Sequence, residues 1–224
     1  MIAAIVGAIT LFFRTETILV EGNQRYAERE IIEAAGLQIG GNLYLMNKYD
    51  RAQAIFRSLP YVESASINRK LPDTLVIEVK ECSAAASLPA EGGVWLMSLN
   101  GKLLEKTSSA PEGCAAVTGC ALADPEVSGE AKFDAESEYK MTALRSLLRA
   151  AEEKRMRVNI EAVDLGDDTC LRFTYAGRFT VKLPWAADFS YKLESLATVI
   201  DYLEVNETGT INLMTYGKAS FNPE

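Results

Sequence analysis

The fold of the N-terminal part of the chain is decided by residues 61–81, which read YVESASINRKLPDTLVIEVKE. Within this stretch, residues 74–80 alternate between apolar and polar side chains, and this period of two predicts a half-buried β-strand. Residues 61–68 alternate less regularly and predict a second strand. Residues 69–73 (RKLPD) lie between them and predict a turn, because proline and aspartate favour chain reversal.

One more strand and two helices are predicted upstream. Residues 17–21 (TILVE) predict a short β-branched strand. Residues 28–35 (EREIIEAA) predict a helix, since acidic side chains open it and Gly36 follows it. Residues 49–58 predict a second helix, which Pro60 terminates. The order strand, helix, helix, strand, strand predicts a compact α+β unit with its helices on one face of a three-stranded sheet.

A larger region follows a boundary predicted at residues 82–93 (CSAAASLPAEGG), a stretch of small residues. Asn100-Gly101, between two apolar runs, is the strongest hairpin signal in the chain. Residues 110–132 hold several glycines and prolines and predict a loop. The other predictions are two amphipathic helices, residues 136–157 and 189–203, and four strands, residues 159–165, 169–175, 178–183 and 210–221.

The first 13 residues, MIAAIVGAITLFF, are apolar and uncharged, and Arg14 ends the run. As a helix they would span roughly 20 Å, against about 30 Å for the hydrocarbon core of a bilayer. No basic segment precedes them and no small-residue cleavage site follows, which argues against a cleaved signal peptide. A buried helix of a soluble domain is the alternative. We favour a truncated signal anchor over residues 1–14, because the run is apolar on every face.

The composition narrows the chemistry that the chain can perform. Its 23 Lys+Arg and 31 Asp+Glu give a net charge of −8, which argues against general nucleic-acid binding. It has no histidine, so a His-based triad and an HExxH zinc site are excluded. Its four cysteines form no CxxC pair; Cys114 and Cys120 could close a disulfide loop or be two small apolar residues. No cofactor, metal ligand or small-molecule substrate is expected.

One motif permits an enzymatic interpretation. Ser137 and Lys140 form an SxxK sequence, the nucleophile and base of penicillin-binding enzymes, and a spacing of three residues on a helix brings them close. The companion motifs of those enzymes do not follow, and SxxK alone is a frequent coincidence. A penicillin-interactive enzyme is therefore kept only as an alternative, and no catalytic residue is predicted.

The last predicted strand offers an interaction surface. A terminal strand after a crossover helix can lie at the edge of its sheet, where unpaired backbone N–H and C=O groups accept a partner strand. An edge merely protected by Gly217 and Lys218 is the alternative. The predicted partner-binding residues are Asn212, Leu213, Met214, Thr215, Tyr216, Gly217, Lys218, Ala219 and Ser220.

Several fragments of the sequence, in their order, resemble the POTRA domain of the FtsQ/DivIB cell-division proteins. They are residues 20–26 (VEGNQRY), 30–31 (EI), 36–37 (GL), 41–43 (GNL), 59–62 (LPYV) and 69–81 (RKLPDTLVIEVKE). Farther along, residues 95–104 (WLMSLNGKLL) resemble the opening hairpin of that family's β-domain, and residues 191–196 and 209–213 resemble its closing helix and strand. The resemblance covers residues 17–221.

This resemblance implies an α+β protein with a partial N-terminal transmembrane helix, a small POTRA domain (β-α-α-β-β) and a larger β-domain with a mixed sheet and two packed helices. The bounds expected from it are residues 1–14 for the signal anchor, 15–81 for the POTRA domain, 82–221 for the FtsQ-type β-domain and 222–224 for a tail. It further implies a single-pass bacterial membrane protein at the division septum, with a cytoplasmic N-terminus and most of the chain outside.

The function implied is that of a non-enzymatic divisome scaffold, which binds small membrane proteins of the FtsL and FtsB/DivIC types. In that family the C-terminal β-domain strand supplies an edge for the FtsB-like partner, and this strand falls here on residues 212–220. The lipid bilayer is the other expected partner, and nucleic acid is not expected. The alternative is a POTRA-bearing transport or assembly factor that binds client polypeptides. One departure is Ala27, where the family commonly has a capping serine, so Glu30 is expected to lack its capping partner.

Overall fold

The computed structural model describes residues 13–224. Contacts within the chain divide it into two units, with the boundary between Ser83 and Ala84. The predicted signal anchor, residues 1–14, lies almost wholly outside the described residues. Among residues 13–224, no helix is long and apolar enough to cross a membrane.

The first unit consists of a three-stranded sheet and two helices. Its strands are β1 (Thr17–Glu21), β2 (Val62–Lys70) and β3 (Thr74–Glu81), in the order β1-β3-β2. The central strand β3 runs parallel to β1 and antiparallel to β2. The helices are α1 (Glu28–Ala34) and α2 (Lys48–Ser58), so the predicted order strand, helix, helix, strand, strand is confirmed.

The core of the first unit follows the alternation that the sequence shows. Leu75, Ile77 and Val79 of β3 are buried together with Ile31 of α1 and Ile55 of α2. A strand with one buried face requires this period of two, because successive side chains point to opposite sides of the sheet. The interpretation of residues 74–80 as a half-buried strand is therefore confirmed.

Helix α1 begins with half of a capping box. Ala27 has no side-chain oxygen, yet the Glu30 carboxylate accepts a hydrogen bond from the Ala27 amide at 2.8 Å. Serine is required for only one of the two bonds of a capping box, and the glutamate forms the other by itself. The expectation that Glu30 lacks its capping partner is therefore wrong, because Glu30 bonds to the backbone of Ala27. Only the bond that a serine side chain would accept is absent at this helix end.

The second unit contains a nine-stranded mixed sheet and two helices. Helix α3 (Glu138–Glu153) and helix α4 (Phe189–Asp201) pack against each other, and their apolar faces share one core with the sheet. A 3₁₀ turn, Arg157–Asn159, follows α3. The strands are β4 (Ala84–Ala90), β5 (Gly93–Ser98), β6 (Leu103–Thr107), β7 (Ala115–Thr118), β8 (Ile160–Asp164), β9 (Leu171–Tyr175), β10 (Phe179–Leu183), β11 (Gly209–Asn212) and β12 (Ser220–Pro223). Their order in the sheet is β12-β11-β10-β9-β8-β7-β4-β5-β6.

Two interior strands of this sheet are missing from the sequence-based prediction. β4 lies within the segment predicted as a boundary, and β7 lies within the predicted loop 110–132. Residues 85–88 of β4 are all buried, which shows that both faces of the strand are covered, so its sequence has no alternation. β7 has only four residues, too few for a period of two to be recognised against its glycine- and proline-rich surroundings.

Candidate partner-binding edge

Strand β12 (Ser220–Pro223) forms one edge of the large sheet. It pairs antiparallel with β11, which runs parallel to β10. Within residues 13–224, no strand pairs with the outer side of β12. At the opposite edge, the backbone of Ser128 and Gly129 exchanges hydrogen bonds with Leu103 at the start of β6. The sheet therefore has one partly covered edge and one edge, β12, that is open to a partner strand.

The hydrogen-bond register decides which backbone groups of β12 face outward. The Glu224 amide donates to the Thr208 carbonyl at 3.0 Å. Hydrogen-bonded pairs recur at every second residue of an antiparallel ladder, so the backbone groups of Asn222, two residues before Glu224, also face β11. The backbone groups of Phe221 and Pro223 therefore point away from β11. Proline has no amide hydrogen, so the outward N–H of this strand belongs to Phe221.

Strand β12 is held in the sheet by a close approach to β11 and by a ring contact with β10. Gly209 has a φ of +152°, and a Cβ atom there would lie 2.2 Å from the carbonyl oxygen of Asn222. Glycine is therefore required for the two strands to meet. The ring of Phe221 lies edge-on to the ring of Phe179, with 6.1 Å between their centroids.

Two cationic side chains hold the segments on either side of β11. The guanidinium of Arg178 donates to the carbonyls of Glu204 at 2.6 Å and Glu207 at 2.9 Å, just before the strand. Beyond the strand, the ammonium of Lys192 donates to the carbonyls of Leu213 and Thr215. Each cation satisfies carbonyl groups of an irregular segment that has no ladder partner of its own.

Lys192 is buried, with 5% of its surface exposed, and burial lowers its pKa. Beside it on α4, the ring of Tyr191 stacks on the ring of Tyr216, with a centroid distance of 5.0 Å. The Asn212 side chain accepts a hydrogen bond from the Met214 amide at 3.0 Å. The segment between β11 and β12 is thus fixed to the first turn of α4 by a hydrogen-bonded ammonium and a pair of stacked rings.

The predicted partner-binding residues 212–220 are not one strand. Asn212 ends β11, Leu213 is buried and Ser220 begins β12, while the residues between them are irregular. The prediction of a continuous strand over residues 210–221 is wrong, because Gly217 takes a left-handed φ of +66° in a turn that sends the chain back along β11. That these residues bind a partner stays a prediction.

Sequence reasoning missed β12 itself. The signal for it was Tyr216-Gly217, a turn pair followed by the short run of residues 220–223 (SFNP). A glycine inside an apparent strand indicates a bulge or a turn as often as a continuation. The candidate edge therefore lies a few residues beyond the centre of the predicted site.

The lysine of the SxxK pair is engaged by two other acceptors. Lys140 is buried, and its ammonium donates to the Leu165 carbonyl at 2.9 Å and to the Asp168 carboxylate at 2.8 Å. The hydrogen bond to Asp168 raises the pKa of Lys140. A lysine that serves as a general base needs a lowered pKa, so this shift has the wrong direction for activating Ser137. Lys140 instead ties α3 to the end of β8.

The four cysteines are free thiols, so Cys114 and Cys120 are not joined. Burial raises the pKa of each of these two thiols to about 11. A protonated thiol is a poor nucleophile and a poor metal ligand. In the part of the chain that the structure describes, no group of three or more Cys, Asp and Glu residues could hold a metal ion.

Comparison with known proteins concerns mainly the first unit. The FtsQ-type POTRA domain family matches residues 13–81. Cell division protein DivIB of Clostridium botulinum is 33% identical over 95 residues, which are 42% of this chain and 37% of that protein. DivIB of Clostridium acetobutylicum is 34% identical over 94 residues, which are again 42% of this chain and 37% of that protein. Cell division protein FtsQ of Corynebacterium glutamicum is 28% identical over 130 residues, 57% of this chain and 58% of that protein.

The chain thus spans little more than a third of the length of the DivIB relatives it matches. The match falls on the unit whose β-α-α-β-β order and core have been described. The family match, the named relatives and this architecture agree with one another: residues 13–81 form a POTRA domain of the FtsQ type, and the chain is similar to the FtsQ/DivIB cell-division proteins.

Proposed function

We propose that this chain is a membrane-anchored scaffold protein of bacterial cell division, which acts at the division septum by binding other membrane proteins. Its relatives are named cell division proteins, which supports the process. The apolar run of residues 1–13 supports a single membrane anchor. The proposal includes a cytoplasmic N-terminus and most of the chain outside the membrane, with the first unit as the POTRA domain and the second as the β-domain.

We further infer that the protein is not an enzyme. The chain has no histidine, and the lysine of its SxxK sequence is held by Asp168 and the Leu165 carbonyl. Incubation of the full chain with a fluorescent β-lactam tests this inference. We expect no covalent label; a label that disappears in Ser137→Ala would restore the enzymatic alternative.

The observation that carries the scaffold proposal is the open edge of β12. An extended segment of a partner can add there as a further strand, with the Phe221 amide and the carbonyls of Phe221 and Pro223 as its pairing groups. The exposed segment of residues 215–219 flanks this edge and would contact partner side chains. FtsL-like and FtsB/DivIC-like proteins are the proposed partners, the latter at this edge.

The proposal is tested by removing one outward hydrogen bond. Phe221→Pro deletes the outward amide hydrogen and leaves the amides that donate to β11, because Phe221 does not donate to β11. We expect the full chain with this change to lose at least about tenfold in affinity for an immobilised FtsB/DivIC-like partner, since an edge amide bond is worth about 1 kcal/mol and proline also blocks close approach.

Phe221→Leu is the matched control. It also removes the ring that lies against Phe179, but it retains the amide hydrogen. We expect the leucine variant to bind within about twofold of the unchanged chain, because only side-chain packing at a half-buried position is altered. Equal affinity of the proline and leucine variants would overturn strand addition at β12 and leave side-chain contacts of residues 215–219 as the alternative.

A further inference from the structure

One end of the first unit is marked by the point where the apolar N-terminal run enters the fold. The Phe13 carbonyl accepts a hydrogen bond from the Leu43 amide at 3.0 Å, and the ring of Phe13 lies edge-on to Tyr44 with centroids 5.0 Å apart. The Thr15 amide donates to the Gly41 carbonyl at 2.8 Å. The loop between α1 and α2 is therefore fastened directly to the end of the apolar run.

The β2–β3 turn lies at the same end. The Glu16 amide donates to the Asp73 carbonyl at 2.8 Å, and the Arg69 guanidinium donates to the Met46 carbonyl at 3.0 Å. These bonds join the turn to the entering chain, and the end of β2 beside the turn to the α1–α2 loop. One surface of the first unit is thus formed by three segments held within hydrogen-bond distance of one another.

Exposed apolar side chains are concentrated on this surface. Among the described residues of the first unit, six large hydrophobic side chains are exposed, and five of them belong to these segments or to the first turn of α2. The sixth, Leu19, lies in the middle of β1. The N-terminal apolar patch, as we name it, comprises Ile39 (73% exposed), Tyr44 (45%), Leu45 (77%), Tyr49 (75%) and Leu71 (56%).

The polar surroundings of the patch fit a lipid headgroup layer. Arg14 and Lys70 are exposed beside it, and Lys48 lies 5.3 Å from the ring centroid of Tyr49. Tyrosine beside lysine and arginine is typical of the boundary between water and hydrocarbon, where an amphipathic ring has one apolar and one wet side. Glu16 and Asp50 lie at the same end, so the attraction to anionic lipid is moderate and apolar burial contributes more.

We propose that the N-terminal apolar patch lies in the headgroup region of the bilayer, next to the point where residues 1–13 enter it, and so fixes the orientation of the first unit on the membrane. The proposal rests on the membrane anchoring included in the proposed function. Anchoring alone would leave the first unit free to tilt relative to the bilayer, whereas a second contact, formed by large apolar side chains beside the anchor, restricts that motion.

Photolabelling of the full chain tests the proposal. The chain is reconstituted in vesicles of phosphatidylethanolamine and phosphatidylglycerol that contain a phospholipid with a diazirine close to its glycerol, and no other protein is present. We expect lipid adducts on residues 1–13 and also on the peptides that contain Leu45, Tyr49 and Leu71. The exposed residues Tyr202 and Val205 of the second unit serve as the internal control for unspecific labelling, because they are more exposed than any residue of the patch.

Ile39→Glu combined with Leu45→Glu should reduce labelling of the patch by about tenfold, since two apolar side chains no longer enter the interface. Labelling of residues 1–13 should be unchanged, and Val205→Glu should leave the pattern of adducts unaltered. Both substituted positions are highly exposed, so the fold is retained.

The outcomes separate this inference from membrane anchoring. Adducts on residues 1–13 without adducts on the patch would overturn the proposed membrane contact of the patch, while membrane anchoring would stand. A protein partner or residues 1–12 themselves would then be the alternatives for what covers the patch. Absence of adducts from both segments would overturn anchoring as well. Equal labelling of the patch and of residues 202–205 would show unspecific contact and would also overturn it.

Discussion

The ammonium of Lys192 lies 2.9 Å from the carbonyl oxygen of Thr215 and donates a hydrogen bond to it. The same ammonium donates to the Leu213 carbonyl, so one buried cation on α4 satisfies two carbonyls of the segment that leads to β12. No ladder partner exists for these carbonyls within the described residues, because β11 ends at Asn212. The position of the candidate binding edge therefore depends on a helix residue outside the edge.

Replacing Lys192 with methionine should loosen the edge while it preserves the packing of the apolar stem. Two carbonyls lose their donor, and we expect the amides that face β11, those of Ser220, Asn222 and Glu224, to exchange with solvent about tenfold faster, which corresponds to a local loss of about 1.4 kcal/mol. Hydrogen exchange followed by mass spectrometry measures the change. Lys218→Met is the control, since Lys218 is exposed in the same segment. Unchanged exchange in Lys192→Met would contradict this account.

Glu81 should stabilise the turn before α1. Its carboxylate accepts hydrogen bonds from the backbone amides of Gln24 at 3.1 Å, Arg25 at 2.7 Å and Tyr26 at 3.1 Å. Bonds from several amides to one carboxylate are charge-assisted, so Glu81→Ala should lower the free energy of unfolding of the first unit by about 1–3 kcal/mol.

The measurement is urea unfolding followed by NMR signals of the first unit. Glu78→Ala is the control on the same strand, because the Glu78 carboxylate accepts from the Ser66 hydroxyl at an exposed site. We expect this variant to change stability by no more than about 0.5 kcal/mol. Equal losses in the two variants would refute a special role for the amide bonds of Glu81.

Two glycines with left-handed backbones should differ in their tolerance of a side chain. Gly22 has a φ of +86°, and a Cβ atom there would lie 2.1 Å from the Val79 carbonyl oxygen. Gly40 has a φ of +90°, and a Cβ atom there would have no neighbour within 4 Å. Gly22→Ala should destabilise the first unit by more than about 3 kcal/mol, whereas Gly40→Ala should cost about 1–2 kcal/mol from backbone strain alone. Thermal denaturation of the two variants checks this order, and similar costs would contradict it.

Cys114 and Cys120 should be almost unreactive at neutral pH. With a pKa of about 11, only about one thiol in a thousand is ionised at pH 8, so alkylation by iodoacetamide should speed up about tenfold per pH unit up to pH 10. Mass spectrometry of the modified peptides measures the rates, and the urea-unfolded chain is the control. Fast alkylation of the folded chain at pH 8 would refute the raised pKa.

The same thiols give stability a pH dependence. Their folded-state pKa is raised, so the unfolded chain releases these protons first, from an ordinary pKa of about 8.5. Their contribution to stability is therefore complete below about pH 8 and is lost as the pH rises toward 11. Replacing both cysteines with alanine should flatten the stability profile over this range, and an unchanged slope would count against the assignment.

The sequence by itself determined the first unit. Its strands and helices are short-range patterns: an alternating strand at residues 74–80, a helix that ends before Gly36 and another that ends before Pro60. The fragments that resemble the FtsQ-type POTRA domain are local as well, and the family match falls on the same residues. Patterns of this kind can be read along the chain because burial on one face imposes a period on neighbouring residues.

Only the tertiary structure decided the second sheet and its edge. β4 lies inside the sheet between β7 and β5, and its buried residues have no period to reveal them, since both of its faces are covered. β12 became the outer strand because Gly217 reverses the chain and Lys192, on α4, holds the intervening segment. Contacts between residues far apart in sequence leave no periodic signal, so the residues that present the edge could be found only in the folded chain.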